Sequence, residues 1–419
     1  MNIIFVEHAY QVDDFLNRVD CANANWLALG PSAMHCLAEK KIPYTIPEDY
    51  VNLSEIESAC QAQFERLKEA CRQIDDKLQK RDSFLSEWNI RPLHFHLWQL
   101  GMVFDAVLSR ALWIKEILTH SYGWKIYVHI APPQPWSLFG LGFGKQETLW
   151  GRLLLLSERA DSVISVMDPP RNFKTDTRRR SIDSIKNVLK KVLSSNILLR
   201  SAVESCQQKI PKNIFNLIGV NKKKHIMVIN NAHEWHDILQ NLSNSDMPIL
   251  FLNESIIGSM QAEYNVPEID SSELCQQFFT SMAPYCIDYA KILGDRIRWI
   301  IEKGPPLACA IIEKMDKICL GKKPLAVLVA STPYYASYIA KQFFTLKTIP
   351  VLSWQYGAVW YERGITQRYN LFDDTGTNVL LTFGDAVKNA YELSHMPENM
   401  IIESIGSAVL DDLTLQTGG

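Results

Sequence analysis

The chain has 419 residues, 47% of them hydrophobic and 21% charged, with a formal net charge of −3. That length exceeds one ordinary core, so two domains or lobes are expected. The near-neutral balance excludes a chain-wide electrostatic case for nucleic acid, and no nucleic-acid partner is expected.

Ile3 to Val6 reads as a first buried strand, with Glu7 and His8 at its carboxyl end. A helix over 12–19, a strand over 25–29 closed by Gly30-Pro-Ser32, a helix over 33–40 and a strand over 43–46 follow. This alternation is the rhythm of a doubly wound sheet. Over 53–79 apolar residues recur at helical spacing (Ile56, Phe64, Leu67, Ile74, Leu78), which predicts a long amphipathic helix. A second long helix is expected over 97–120, before a strand over 125–130. The most apolar stretch, 93–114, carries His94, His96, Asp105 and Arg110 and reads as a buried helix rather than a membrane span. The two histidines are read as packing.

The loop over 131–150 holds a proline run ending at Trp136 and then Gly140-Leu-Gly-Phe-Gly-Lys145. Those glycines match neither the phosphate-loop nor the dinucleotide fingerprint. A flap over a cleft or a plain surface loop fits better. A strand over 162–167 leads into Arg171 and a basic helix with Lys186, Lys190 and Lys191. That region, 171–191, is either a solvated helix start or a basic rim that attracts an anionic membrane surface or a phosphorylated acceptor.

Strands are expected over 225–229 and 247–252 with a helix over 234–242 between them. His233-Glu-Trp-His236 lacks the zinc-helix spacing and a third ligand, so no metal is expected. Helices over 271–301 and 307–319 should break at Gly304-Pro-Pro306. Strand and helix then alternate to a last strand over 400–405. The cysteines form no Cys-x-x-Cys pair and sit mostly in apolar or helical settings (Cys60, Cys71, Cys286, Cys309, Cys319), which suits reduced core thiols. With no basic leader at Met1, a cytoplasmic protein is expected, peripheral at most to the inner membrane face.

The densest polar chemistry lies between two strand ends, Val351 to Gly357 and Val379 to Asp385. In an open α/β sheet, ligands bind beyond the carboxyl ends of the strands. Trp354-Gln-Tyr-Gly357 resembles the Gln-His-Gly turn, and Phe383-Gly-Asp385 the Trp-Gly-Glu/Asp turn, of GT-B glycosyltransferases that build bacterial capsule, lipopolysaccharide or teichoic-acid-like polymers. Ile405-Gly-Ser-Ala-Val-Leu-Asp411 is similar to the turn introducing their second domain. Gly30-Pro-Ser32 and Ile46-Pro-Glu-Asp-Tyr50 resemble their first lobe.

The resemblance implies an α/β fold: a Rossmann-like, doubly wound parallel sheet with long helical insertions, forming one GT-B lobe with the second lobe absent. The lobe would start over 1–52, carry a helical insertion over 53–123 and continue over 124–410, with a helical segment at 271–320. Residues 411–419 would begin a linker to a C-terminal donor domain. The implied reaction is transfer of a sugar from a nucleotide-sugar donor to a glycan or lipid-linked acceptor, with no tightly bound cofactor. Without the donor domain the chain is expected to be inactive on its own.

Tyr356 stands where relatives have histidine, and a phenol with a pKa near 10 is a poor base. His8 becomes the candidate base, with Glu7 or Asp373 orienting or replacing it. Gln355, Tyr356 and Gly357 would line the cleft with Gly30, Ser32, Gly384 and Asp385. Arg363 and Arg368 would bind an anionic sugar or the leaving phosphate, and Trp136 and Trp360 would stack on sugar rings. Alternatives are a non-catalytic glycan- or partner-binding lobe, a sugar-nucleotide epimerase, and a polyol-phosphate transferase of the same fold.

Overall fold

The structure is a computed structural model that describes residues 1–21, 23–130, 149–167, 225–229, 249–252, 266, 269–282, 288–319, 323–329, 335–354, 376–382, 384–392 and 400–406. Among these, eleven strands form two all-parallel sheets. The first contains β1 (Asn2–Val6), β2 (Ala24–Ala28), β3 (Tyr44–Thr45), β4 (Lys125–Ile130) and β5 (Val163–Met167), in the order β3-β2-β1-β4-β5. The second contains β6 (Ile226–Ile229), β7 (Ile249–Leu252), β8 (Ala326–Val329), β9 (Val351–Trp354), β10 (Val379–Thr382) and β11 (Ile401–Ser404), in the order β11-β10-β9-β8-β6-β7. The single sheet expected from the sequence is therefore two. An apolar run identifies a strand, but it does not name the neighbour it pairs with.

Each sheet reverses its winding once, between β1 and β4 in the first and between β6 and β8 in the second. Such switch points are where open α/β sheets form crevices. In β1 the alternation is plain: Ile4 and Val6 face α1 (Ala9–Arg18) and α2 (Pro31–Glu39), joining Val12, Phe15, Ala33 and Leu37. Ile3 and Phe5 face the opposite way, toward α6 (Leu97–His120) and α7 (Leu149–Leu155). Both faces of the sheet are covered, as an all-parallel sheet requires.

The main core is continuous from β1 and β4 through the long helices to β6, β8 and β9. Its central layer is α3 (Leu53–Arg81) against α6. Asn52 caps α3 by accepting the Ser54 N–H at 3.0 Å. Gly101 lets the two helices approach, since a Cβ there would lie 2.8 Å from the Phe64 ring. Two short helices, α4 (Ser83–Glu87) and α5 (Pro92–Phe95), join α3 to α6. Among the described residues α6 alone is long and apolar enough to cross a membrane, and half of it is buried inside the protein.

The expected break at Gly304-Pro-Pro306 is not observed. Instead α8 (Ser271–Ser281) ends early and α9 (Tyr289–Cys319) runs straight through both prolines. Proline removes a helix donor, but packing compensates here. The Tyr335 hydroxyl donates to the Gly304 carbonyl at 2.8 Å, and a Cβ on Gly304 would lie 2.9 Å from Pro92. Among the described residues the remaining α-helices are α10 (Tyr335–Leu346), after β8, and α11 (Asp385–Glu392), after β10. Cys36, Cys60, Cys71, Cys275 and Cys309 are buried and form no disulfide among the described residues.

Candidate functional site

At the carboxyl end of β1 the apolar run stops and Glu7-His8 carries the chain into α1. Gln11, on the first turn of α1, is buried and folds back. Its Oε1 accepts the N–H of Glu7 at 2.6 Å and of His8 at 3.1 Å. This satisfies backbone donors at the helix start and holds the Glu7 and His8 backbone in place. The neighbouring turn is tied in as well. Ser32, at the start of α2, accepts the Ala9 N–H through Oγ at 3.1 Å. A Cβ on Gly30 would stand 2.7 Å from the Glu7 carbonyl oxygen. Two helix N-termini, with their positive dipole ends, thus flank Glu7 and His8.

Gly30→Ala is accordingly expected to push the two turns apart. The cost should be about 1–3 kcal/mol, typical of forcing a methyl into occupied space. A lower urea midpoint at unchanged slope would register it.

Tyr10 stacks on His8, with centroids 5.7 Å apart, and meets His129 edge-on at 5.9 Å. His129, buried on β4, places Nε2 at 3.2 Å from an Asp14 carboxylate oxygen. On the other side of the first switch point, Glu7 acts electrostatically on Arg110 of α6. Burial pushes the Arg110 guanidinium below its ordinary pKa, and Glu7 works in the opposite sense. Phe5 of β1 packs against Trp150 at 6.2 Å, and Trp150 stacks on Trp113 at 5.8 Å.

The second switch point is reached from the same helix. His96, the residue before α6, is 1% exposed and lies flat on Tyr335, the first residue of α10, at 4.6 Å. Its Nδ1 pairs with the Gln99 side-chain oxygen at 2.9 Å. Burial pushes His96 down to about 4, against that hydrogen bond, and His94 down to about 4 by burial first and Arg91 second. Both are neutral at pH 7. Asp75 of α3 orients this segment: its two oxygens accept the N–H groups of Leu93 at 3.0 Å and His94 at 2.8 Å. Since His96 and Arg110 are fourteen positions apart, α6 links the carboxyl edges of the two sheets over about 20 Å, at 1.5 Å per residue.

Of the residues singled out by sequence, Glu7, His8, Gly30 and Ser32 come together at the first edge. Gly384 and Asp385 lie at the carboxyl end of β10 in the other sheet, where the Gly384 carbonyl accepts from Val387 and Lys388, both at 3.1 Å. Trp136, Gln355, Tyr356, Gly357, Trp360, Arg363, Arg368 and Asp373 lie outside the described residues, as do 171–191, His233 and His236. Among the described residues no three His, Cys, Asp or Glu side chains gather as a metal site.

Sequence reasoning did not single out Tyr10, Gln11, Trp113, Trp150 or His129. A polar side chain at the third helical position was a usable signal for Gln11, and a lone arginine within the most apolar helix was one for Arg110. No family model, no curated protein and no solved structure matches this chain.

Proposed function

We propose that this chain is a glycosyltransferase that moves a sugar from a nucleotide-sugar donor to a hydroxyl of a growing surface glycan. The observation that carries this reading is the pair of doubly wound parallel sheets whose carboxyl edges are joined by α6, with His8 and Glu7 held at the first switch point. Catalysis between two sheet edges suits a reaction with two separate substrates, since each edge can hold one of them.

In this reading the glycan acceptor binds at the first edge. His8 takes the proton of the attacking hydroxyl, and Glu7 orients the imidazole or the hydroxyl. Glu7 also argues against a diphosphate in the β1–α1 turn: its carboxylate stands where dinucleotide-binding sheets carry glycines. The resemblance of the 354–357, 383–385 and 405–411 turns to surface-polymer enzymes supports the same chemistry and suggests a lipid-linked acceptor at the inner membrane face.

The test is acceptor-dependent turnover. A panel of nucleotide sugars is incubated with the complete gene product, with and without surface-polymer oligosaccharides, and nucleotide release is measured. Release that rises with acceptor is expected. Absence of release with every donor would remove the reading, and conversion of a donor to its epimer without acceptor would replace it with epimerisation.

A further inference from the structure

The proposed mechanism uses the α1 side of the first switch point and leaves the α6 side unexplained. There, among the described residues, two buried N–H donors have no acceptor: Nε of Arg110 and Nε1 of Trp113. Three residues apart on α6, they lie on one helical face. Both pack on Trp150. The guanidinium carbon is 5.7 Å from a Trp150 ring centroid, and Trp113 stacks on that residue with the planes 14° apart. Among the described residues the guanidinium makes one hydrogen bond, from Nη1 to the Ala106 carbonyl at 3.2 Å. A guanidinium keeps its proton in a protein, so this is a largely buried cation with donors to spare.

We propose that Arg110 and Trp113 bind a carboxylate of the substrate, so that the sugar received at the first edge is an acidic sugar. The inference rests on reading that edge as the acceptor site and adds the acceptor's chemical class. A carboxylate offers two oxygens in one plane to two donors on one face. A phosphate fits less well, because the formal charges of Arg110 and Glu7 cancel. A monoanion meets a neutral surrounding there, whereas a dianion is repelled more strongly by Glu7.

The test is direct binding to the full chain, monitored by ligand-observed NMR and tryptophan fluorescence, with glucuronate, glucose and inorganic pyrophosphate as probes. Glucuronate should bind saturably and about tenfold or more tightly than glucose, the factor expected of a charge-assisted hydrogen bond. Pyrophosphate should bind more weakly than glucuronate. Arg110→Met should weaken glucuronate about tenfold and leave glucose unchanged. Trp113→Phe keeps a ring and removes the N–H, and should weaken glucuronate several-fold. If Arg110→Met fails to fold by circular dichroism, Trp113→Phe and Arg110→Lys decide the matter.

Equal binding of glucuronate and glucose, tighter binding of pyrophosphate, no binding at all, or unchanged glucuronate affinity in the folded variants would each overturn the proposal. Transfer is not read in this experiment. Loss of the transferase reading would therefore leave glucuronate binding standing, and loss of glucuronate binding would leave transfer to a neutral sugar standing.

Discussion

His8→Ala should lower sugar transfer by about 10²–10⁴-fold, the usual contribution of a positioned general base. The imidazole is half-buried at the end of β1, and its backbone is held by Gln11, so its placement does not depend on the ring itself. Removing the ring takes away its stack on Tyr10. Such a stack contributes about 1 kcal/mol, so the thermal midpoint should move by only a few degrees. The measurement is kcat/KM for acceptor-dependent transfer alongside a melting curve. Full activity in folded His8→Ala would remove the base assignment, and loss in Glu7→Gln alone would transfer it to Glu7.

The largest stability effect should come from Asp75. Its carboxyl is fully buried, and both oxygens accept backbone N–H groups at the start of α5. Asp75→Ala leaves both donors without a partner, which costs about 2–6 kcal/mol at roughly 1–3 kcal/mol each. A pH signature accompanies it. Burial raises the folded pKa from 3.8 to about 7, against the lowering by the two N–H bonds and by Arg91. The folded state therefore holds the proton more tightly than the unfolded chain between those values.

The stability from that proton is fully present below about pH 4 and is lost as pH rises through about 7, on the order of 4 kcal/mol in all. Asp75→Asn cannot ionise and should flatten that part of the slope. Urea unfolding of both proteins at pH 4.5, 6 and 8 checks it: the stability difference should shift with pH in favour of Asn. An unchanged difference would mean that Asp75 keeps an ordinary carboxyl pKa.

The strands were legible one at a time because each is a short apolar run bounded by glycine, proline or polar residues. β4 matches its expected span, 125–130. Partnership was not legible. A parallel pair is joined through crossovers, and the split between β5 and β6 leaves no mark in either strand's pattern. The Gly304-Pro-Pro306 turn failed for a related reason. Its local preference is to break, and contacts from Pro92 and Tyr335, distant in sequence, reverse the outcome.

The candidate catalytic pair was legible because Glu7 and His8 follow an unambiguous strand. The α6 side was not, since Arg110 and Trp113 reach the edge only through the crossing of a helix whose N-terminal half extends toward the second sheet. His94 and His96 show a mixed result. They are packed, as expected from the sequence, yet the packing sets His96 against the start of α10 at the second switch point.

The most direct test of the first edge as the working surface is amide hydrogen exchange of the whole chain with and without an oligosaccharide acceptor. Slower exchange is predicted at residues 7–11 and 30–34 and in the Arg110–Trp113 turn of α6. Acceptor binding with exchange unchanged at all three, and protection elsewhere, would contradict it.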